Sequence, residues 1–192
     1  MSNQLLEEQK FAARNFSRIS KVIPRRLAIR EDNISAQLAK AKTSPRRKLE
    51  TLYTLMDELF QTVLPLTPCR NRCSSCCHYE VNITEIEIAH IEIHSKRKRS
   101  KVVGPKVNFH GTACPFLENG SCSIYEARPF TCRKHLALTK SNFWCDPVRS
   151  NLEKFPLIQF SGFENAFNLI RSESKSYDSV DIRQVFKRNA TG

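Results

Sequence analysis

The stretch CRNRCSSCC places four cysteines in nine positions, Cys69, Cys73, Cys76 and Cys77, and the last two are adjacent. Four more follow at Cys114, Cys122, Cys132 and Cys145. On a helix, offsets of zero, four, seven and eight share one face. In a loop, a C-x2-C step can wrap a metal. Either backbone brings the first four sulfurs together. A core stripe would mix in leucine and isoleucine, whereas Arg70, Asn71, Arg72, Ser74 and Ser75 fill these gaps. A disulfide framework belongs to small secreted scaffolds. This chain has 192 residues, 40% of them hydrophobic, enough to bury a core without staples.

The N-terminus points the same way. The opening MSNQLLEEQKF has neither the basic start nor the apolar run of a secretory signal. No stretch approaches the ~20 apolar residues of a membrane span. The expectation is a cytoplasmic chain with no membrane span, in which thiols serve metals or catalysis. Thiolate ligands suit zinc or an iron–sulfur cluster and disfavour hard ions. Eight cysteines suffice for two closed zinc sites, yet the paired C-x2-C knuckles usual for zinc ribbons are missing. A [4Fe–4S] cluster also takes four cysteines, and dense short-spaced runs are its habit. Both groups stay open, with iron–sulfur ahead of zinc on ligand type.

Around this centre the periodicity predicts a mainly α fold: an N-terminal helical arm (1–66), an irregular cysteine-rich metal-binding centre (67–150), and a C-terminal helix with a polar, frayed tail (151–192). Leu5, Ala12, Phe16, Ile19 and Ile23 fall on one helix face before Pro24 breaks the run. A second helix runs from about Leu27 to Ala41. Ser44 then caps a third, with Pro45 at its first position and a stripe of Leu49, Leu52, Tyr53, Met56, Leu59, Phe60 and Val63. VNITEIEIAHIEIH alternates like a strand, but Thr84, Glu85 and Glu87 favour a helix over 84–94. Gly104-Pro105 and Asn119-Gly120 read as turns. RPFTCRKH begins a short helix. Ile158, Phe160, Phe163, Phe167 and Ile170 predict the last one.

Several neighbours of the cysteines carry secondary expectations. His78, His110 and His135 are minor ligand candidates, His78 foremost because it follows Cys77. Arg70, Arg72, Arg128 and Arg133 offset thiolate charge if they face the sulfurs. Arg133 directly follows a candidate ligand. Tyr125, Phe130 and Trp144 read as packing around the site. The net charge of +12 and the run SKRKRSK (95–101) fit an acidic protein or nucleic acid as partner, or a solvated loop. No sequence-specific nucleic-acid motif, Gly-rich phosphate loop or hydrolase motif is present in the sequence.

CPFLENGSCSIYEARPFTCRKH, read together with CRNRCSSCC, closely resembles the YkgJ-type cysteine-cluster family, the CxxCxxCC zinc- or iron-chelating domain. The matching positions are Cys69, Cys73, Cys76, Cys77, Cys114, Cys122 and Cys132, with Pro115, Tyr125, Arg128, Pro129 and Arg133 as companions. The first gap is three residues where the family name has two. The resemblance covers residues 69 to about 135 and implies a bacterial, cytoplasmic metal- or cluster-binding protein. Some flagellin lysine methylases look similar in the cysteine motif, which implies a metal- or cluster-dependent transferase as one alternative. A redox- or metal-responsive module with a basic nucleic-acid-binding surface is another. The C-x3-C-x2-C triad also resembles the radical S-adenosylmethionine motif, but the chain is too short and too helical for the barrel of those enzymes.

Overall fold

A computed structural model describes residues 2–188 apart from 71, 102–104 and 106. Among the described residues the chain is mainly α, as the periodicity predicts. The helices are α1 (Ser2–Val22), α2 (Arg25–Lys40), α3 (Pro45–Val63), α4 (Glu85–Ser95), α5 (Phe130–Lys134), α6 (Pro147–Leu152), α7 (Ser161–Glu173) and α8 (Ile182–Val185). Strands β1 (Asn82–Thr84) and β4 (Ser179–Asp181) form one antiparallel pair; β2 (Leu117–Glu118) and β3 (Ser121–Cys122) form another.

Helix α3 is the central beam. Ser44 accepts the Arg47 N–H at 3.4 Å and Pro45 occupies the first turn, so the start is set locally. The expected stripe is buried along its whole length. It packs against α2, α7, α4 and α5. Phe130 of α5 stacks flat on Phe167 of α7 at 4.3 Å between ring centroids. The second core lies beneath the cysteines and joins Val81, Ile83, Ile91, Phe116, Ile182, Val185 and Phe186.

Helix α1 departs from its expected stripe. Ala12 and Ile19 are buried, but Phe16 is exposed and Leu5 and Ile23 are only half-buried. Glu8 and Asn15 are buried instead. Asn15 Nδ2 donates to the carbonyls of Leu66 and Leu138, at 2.9 and 3.1 Å, and Glu8 accepts the Lys140 N–H. These loop groups would otherwise be buried without partners, which is costly. The helix is oriented by polar pairing rather than by its most apolar face.

VNIT and the helix that follows satisfy both sequence signals. Residues 82–84 are strand, and α4 starts at once with Thr84 as its cap. The Thr84 N–H and hydroxyl each donate to Glu87 Oε2 at 2.8 Å. Asn119 and Gly120, both at positive φ, close the β2–β3 hairpin as expected. The Gly104-Pro105 turn falls partly outside the described residues.

The frayed tail is corrected. Residues 179–181 pair with β1, and Ile182, Val185 and Phe186 are buried in the second core. The polar appearance of this segment hides an Asp181–Arg183 pair that is itself buried, with Nη1 to Oδ1 at 3.1 Å. The final four residues, 189–192, lie outside the described ones.

Candidate metal centre

The cysteines enter the site from five separate stretches of backbone. Cys69 follows the 3-10 turn Leu64–Leu66, and the Cys73 N–H donates to the Arg70 carbonyl at 3.0 Å. Cys76 and Cys77 lie in a second 3-10 turn, Ser75–His78. The Cys77 carbonyl accepts the Cys114 N–H at 2.8 Å, which draws the later segment onto the first motif. Cys122 sits on β3, Cys132 on α5, and Cys145 ends the turn Asn142–Cys145. All eight are free thiols. Cys69, Cys73, Cys76, Cys77, Cys114, Cys122 and Cys132 line one cavity of about 570 Å³. Cys145 lines an adjoining cavity of about 300 Å³ with Tyr79, His135 and Trp144.

The thiols fall into two neighbourhoods that meet at the doubled cysteine. Cys145 feels the charge of Cys69, Cys73 and Cys76, and Cys69 that of Cys73 and Cys76. Cys77 feels Cys114 and Cys122 as well as Cys76, and so does Cys132. Packing divides them the same way. Cys69 rests on the helical core, while Cys77, Cys114, Cys122 and Cys132 belong to or pack on the second core. The sulfurs are spread around the cavity: among the described residues, no three of them lie within 4.8 Å of one another.

Burial decides the protonation of most of these groups. It raises the Cys69 and Cys122 thiols, lifts Cys114 to about 11 and Cys145 to about 12, and holds Cys132 well above the ordinary value. Cys76 is the exception. The hydrogen bond from Cys77 lowers it to about 7 against its burial, and the Arg128 charge helps; the same bond keeps Cys77 protonated. An adjacent thiol thus prepares Cys76 as a thiolate beside thiols that burial raises.

Two arginines build the wall beside α3. Arg133 is buried, with its guanidinium over the Tyr53 ring at 4.2 Å. It pairs with Asp57, and its Nε donates to the Arg128 carbonyl at 2.9 Å. Arg128 pairs with the same carboxylate at 3.2 Å. Both arginines line the large cavity, and Arg128 Nε is buried with no hydrogen-bond partner among the described residues. Arg70 and Arg72 also line it.

The histidines rank differently from the sequence expectation. His135 lines both cavities, and burial lowers its pKa. A His78 ring nitrogen lies 3.3 Å from the Ser74 carbonyl, and His110 is engaged by the Pro147 carbonyl at 2.7 Å while stacking on Tyr79. Adjacency to Cys77 in sequence aimed His78 along its own 3-10 turn, not into the cavity. Phe130 is buried as expected, but Tyr125 is exposed and lies under Arg128. Trp144 packs between Phe143 and Phe155.

The basic run is partly structural. Arg99 pairs with Glu85 at 2.5 Å and Glu92 at 2.8 Å on α4. Arg97 donates to the Pro115 and Lys187 carbonyls and covers the Phe116 ring at 4.3 Å. No helix among the described residues is long and apolar enough to cross a membrane.

The chain matches none of the curated proteins and none of the solved structures. Its cysteine-bearing segment does match a protein family. Residues 68–148, the segment that carries all eight cysteines, are similar to the family model described as "CxxCxxCC: Putative zinc- or iron-chelating domain".

Proposed function

We propose that the cysteine cavity takes iron–sulfur rather than a single zinc ion, and that the chain is a cluster-binding protein. The observation that carries this reading is the spread of the thiols. Zinc–sulfur bonds of about 2.3 Å in a tetrahedron hold sulfurs about 3.8 Å apart. No three sulfurs here come within 4.8 Å of one another, yet seven of them face one cavity of about 570 Å³. A polynuclear core spaces its terminal thiolates more widely than one ion does and fills a larger volume.

The surroundings fit such a group. Its net negative charge suits Arg128 and Arg133 in the wall, and Arg128 Nε–H is a buried donor in want of an acceptor. The ligand sets we assign follow the two neighbourhoods. Cys77, Cys114, Cys122 and Cys132 form one four-thiolate set; Cys69, Cys73, Cys76 and Cys145 form the other. A bound cluster supplies one-electron redox capacity. The chain's own residues hold thiols from five segments together, present Cys76 as the first thiolate, and balance charge through the two arginines.

The test is the metal content of ligand variants. Iron and acid-labile sulfide, measured after anaerobic purification, should fall in Cys132→Ser and in Cys145→Ser, and further in the double variant. Unchanged content in both single variants contradicts the assignment.

A further inference from the structure

Outside the residues that line the cysteine cavity, Glu50, His90 and His94 bring three ligand atoms within 4.8 Å of one another. His90 and His94 are one turn apart on α4, so their side chains share a face. Their ring centroids are 4.3 Å apart. Glu50 comes from the first half of α3. We propose that these three side chains form a second metal site, for a divalent first-row ion such as zinc, distinct in chemistry from the thiolate centre.

An independent observation concerns His90. The residue is only 4% exposed, and its Nδ1 is buried with no hydrogen-bond partner among the described residues. Buried ring nitrogens ordinarily find partners, because an unpaired one forfeits its hydration. The Tyr53 ring meets His90 edge-on at 5.6 Å and offers it no polar group, since the Tyr53 hydroxyl is engaged by Glu87. Burial, with the charges of His94, Arg133 and Arg46, lowers the His90 pKa to about 4, so the ring carries a free lone pair at neutral pH.

The donor set selects the ion. Two imidazoles and a carboxylate suit zinc, nickel, cobalt or ferrous iron better than calcium or magnesium. Bonds of about 2.0–2.2 Å need the donors closer than 4.8 Å. His94 is exposed and Glu50 half-exposed, so both can rotate inward while His90 stays fixed. Arg46 lies 3.7 Å from Glu50 in an exposed pair and competes for that carboxylate. Three protein ligands and an exposed His94 leave a coordination position facing solvent. A bound ion would pin α3 to α4 one turn from Glu87, which receives the Phe130 N–H two residues before Cys132.

The proposal is independent of what fills the cysteine cavity, and cobalt(II) tests it on untagged full-length protein carrying its native metal. Bound cobalt should show ligand-field bands without thiolate-to-metal charge transfer. Affinity should fall by more than about tenfold in His94→Ala and in Glu50→Gln, both surface changes, with the native metal content unaltered. Added zinc should raise the melting temperature of the wild type but not of His94→Ala. No cobalt bound beyond the native metal, charge-transfer bands, or wild-type affinity in both variants overturns the proposal.

Discussion

Arg183 donates through Nη2 to the carbonyl oxygen of Cys77 at 3.0 Å, across 106 residues of sequence. The same nitrogen reaches the carbonyls of Tyr79 and Thr112, and Nη1 is paired with both oxygens of Asp181. Asp181 also accepts the Val81 N–H at 2.9 Å. One C-terminal guanidinium therefore holds the loop after the doubled cysteine against the segment that carries Cys114.

Arg183→Met should destabilise the protein by about 3–5 kcal/mol, because it leaves the buried Asp181 carboxylate without its cation and removes a donor from the Cys77, Tyr79 and Thr112 carbonyls. Urea unfolding measures it. The same variant should lose metal, since the Cys77 and Cys114 backbones lose their common anchor. A loss below about 1 kcal/mol with full metal content contradicts this role.

Asp57 and Glu58 are neighbours on α3 with opposite consequences. Asp57 neutralises Arg133, whose side chain is 1% exposed, whereas Glu58 meets Arg26 and Arg30 at the surface. Asp57→Ala should cost about 3 kcal/mol by stranding a buried cation. Glu58→Ala should cost less than about 1 kcal/mol. Equal effects on the denaturation midpoint would show that Arg133 does not depend on Asp57.

Glu87 accepts four hydrogen bonds: two from Thr84, one from the Tyr53 hydroxyl and one from the Phe130 N–H. Burial nevertheless raises its pKa above the ordinary 4.5. The folded chain keeps this proton to a higher pH than the unfolded chain does. Its contribution is therefore complete below 4.5 and is lost as pH rises through the folded value. Glu87→Gln cannot titrate, so its stability curve should lack that decline. Its amide also turns an NH2 toward donors, which costs about 1–3 kcal/mol near neutrality. Parallel curves of urea midpoint against pH contradict the assignment.

Gly162 marks the closest approach of α7 to α2. A Cβ there would overlap the Glu31 carbonyl oxygen, while Glu31 also accepts the Phe163 N–H at 3.1 Å. Gly162→Ala should destabilise by about 1–3 kcal/mol or more, seen as a lower melting temperature. Wild-type stability in that variant would mean that the helices do not pack this tightly.

Local signals predicted local structure well. Ser44-Pro45, the α3 stripe, the Thr84–Glu87 cap and Asn119-Gly120 each act within a few residues, so each is visible in sequence. Each cysteine motif is local in the same way, but their union in one constellation is carried by the family resemblance and not by spacing. What escaped depends on distant partners. Asn15 faces inward because two loop carbonyls wait there, so Phe16 faces out. Asp181 and Arg183 look like tail residues until β4 pairs with β1. The join of Cys145 to Cys69, Cys73 and Cys76 requires the fold. His90 and His94 carry a readable signal, a four-residue step on a helix, but their third partner, Glu50, comes from a different helix.

The most direct measurement is the composition and absorption spectrum of the full-length protein purified without oxygen. A brown protein containing iron and acid-labile sulfide, with broad visible absorption that bleaches on reduction, is the predicted result. A colourless protein with stoichiometric zinc and no sulfide would contradict the cluster and return the cysteines to a zinc-chelating role.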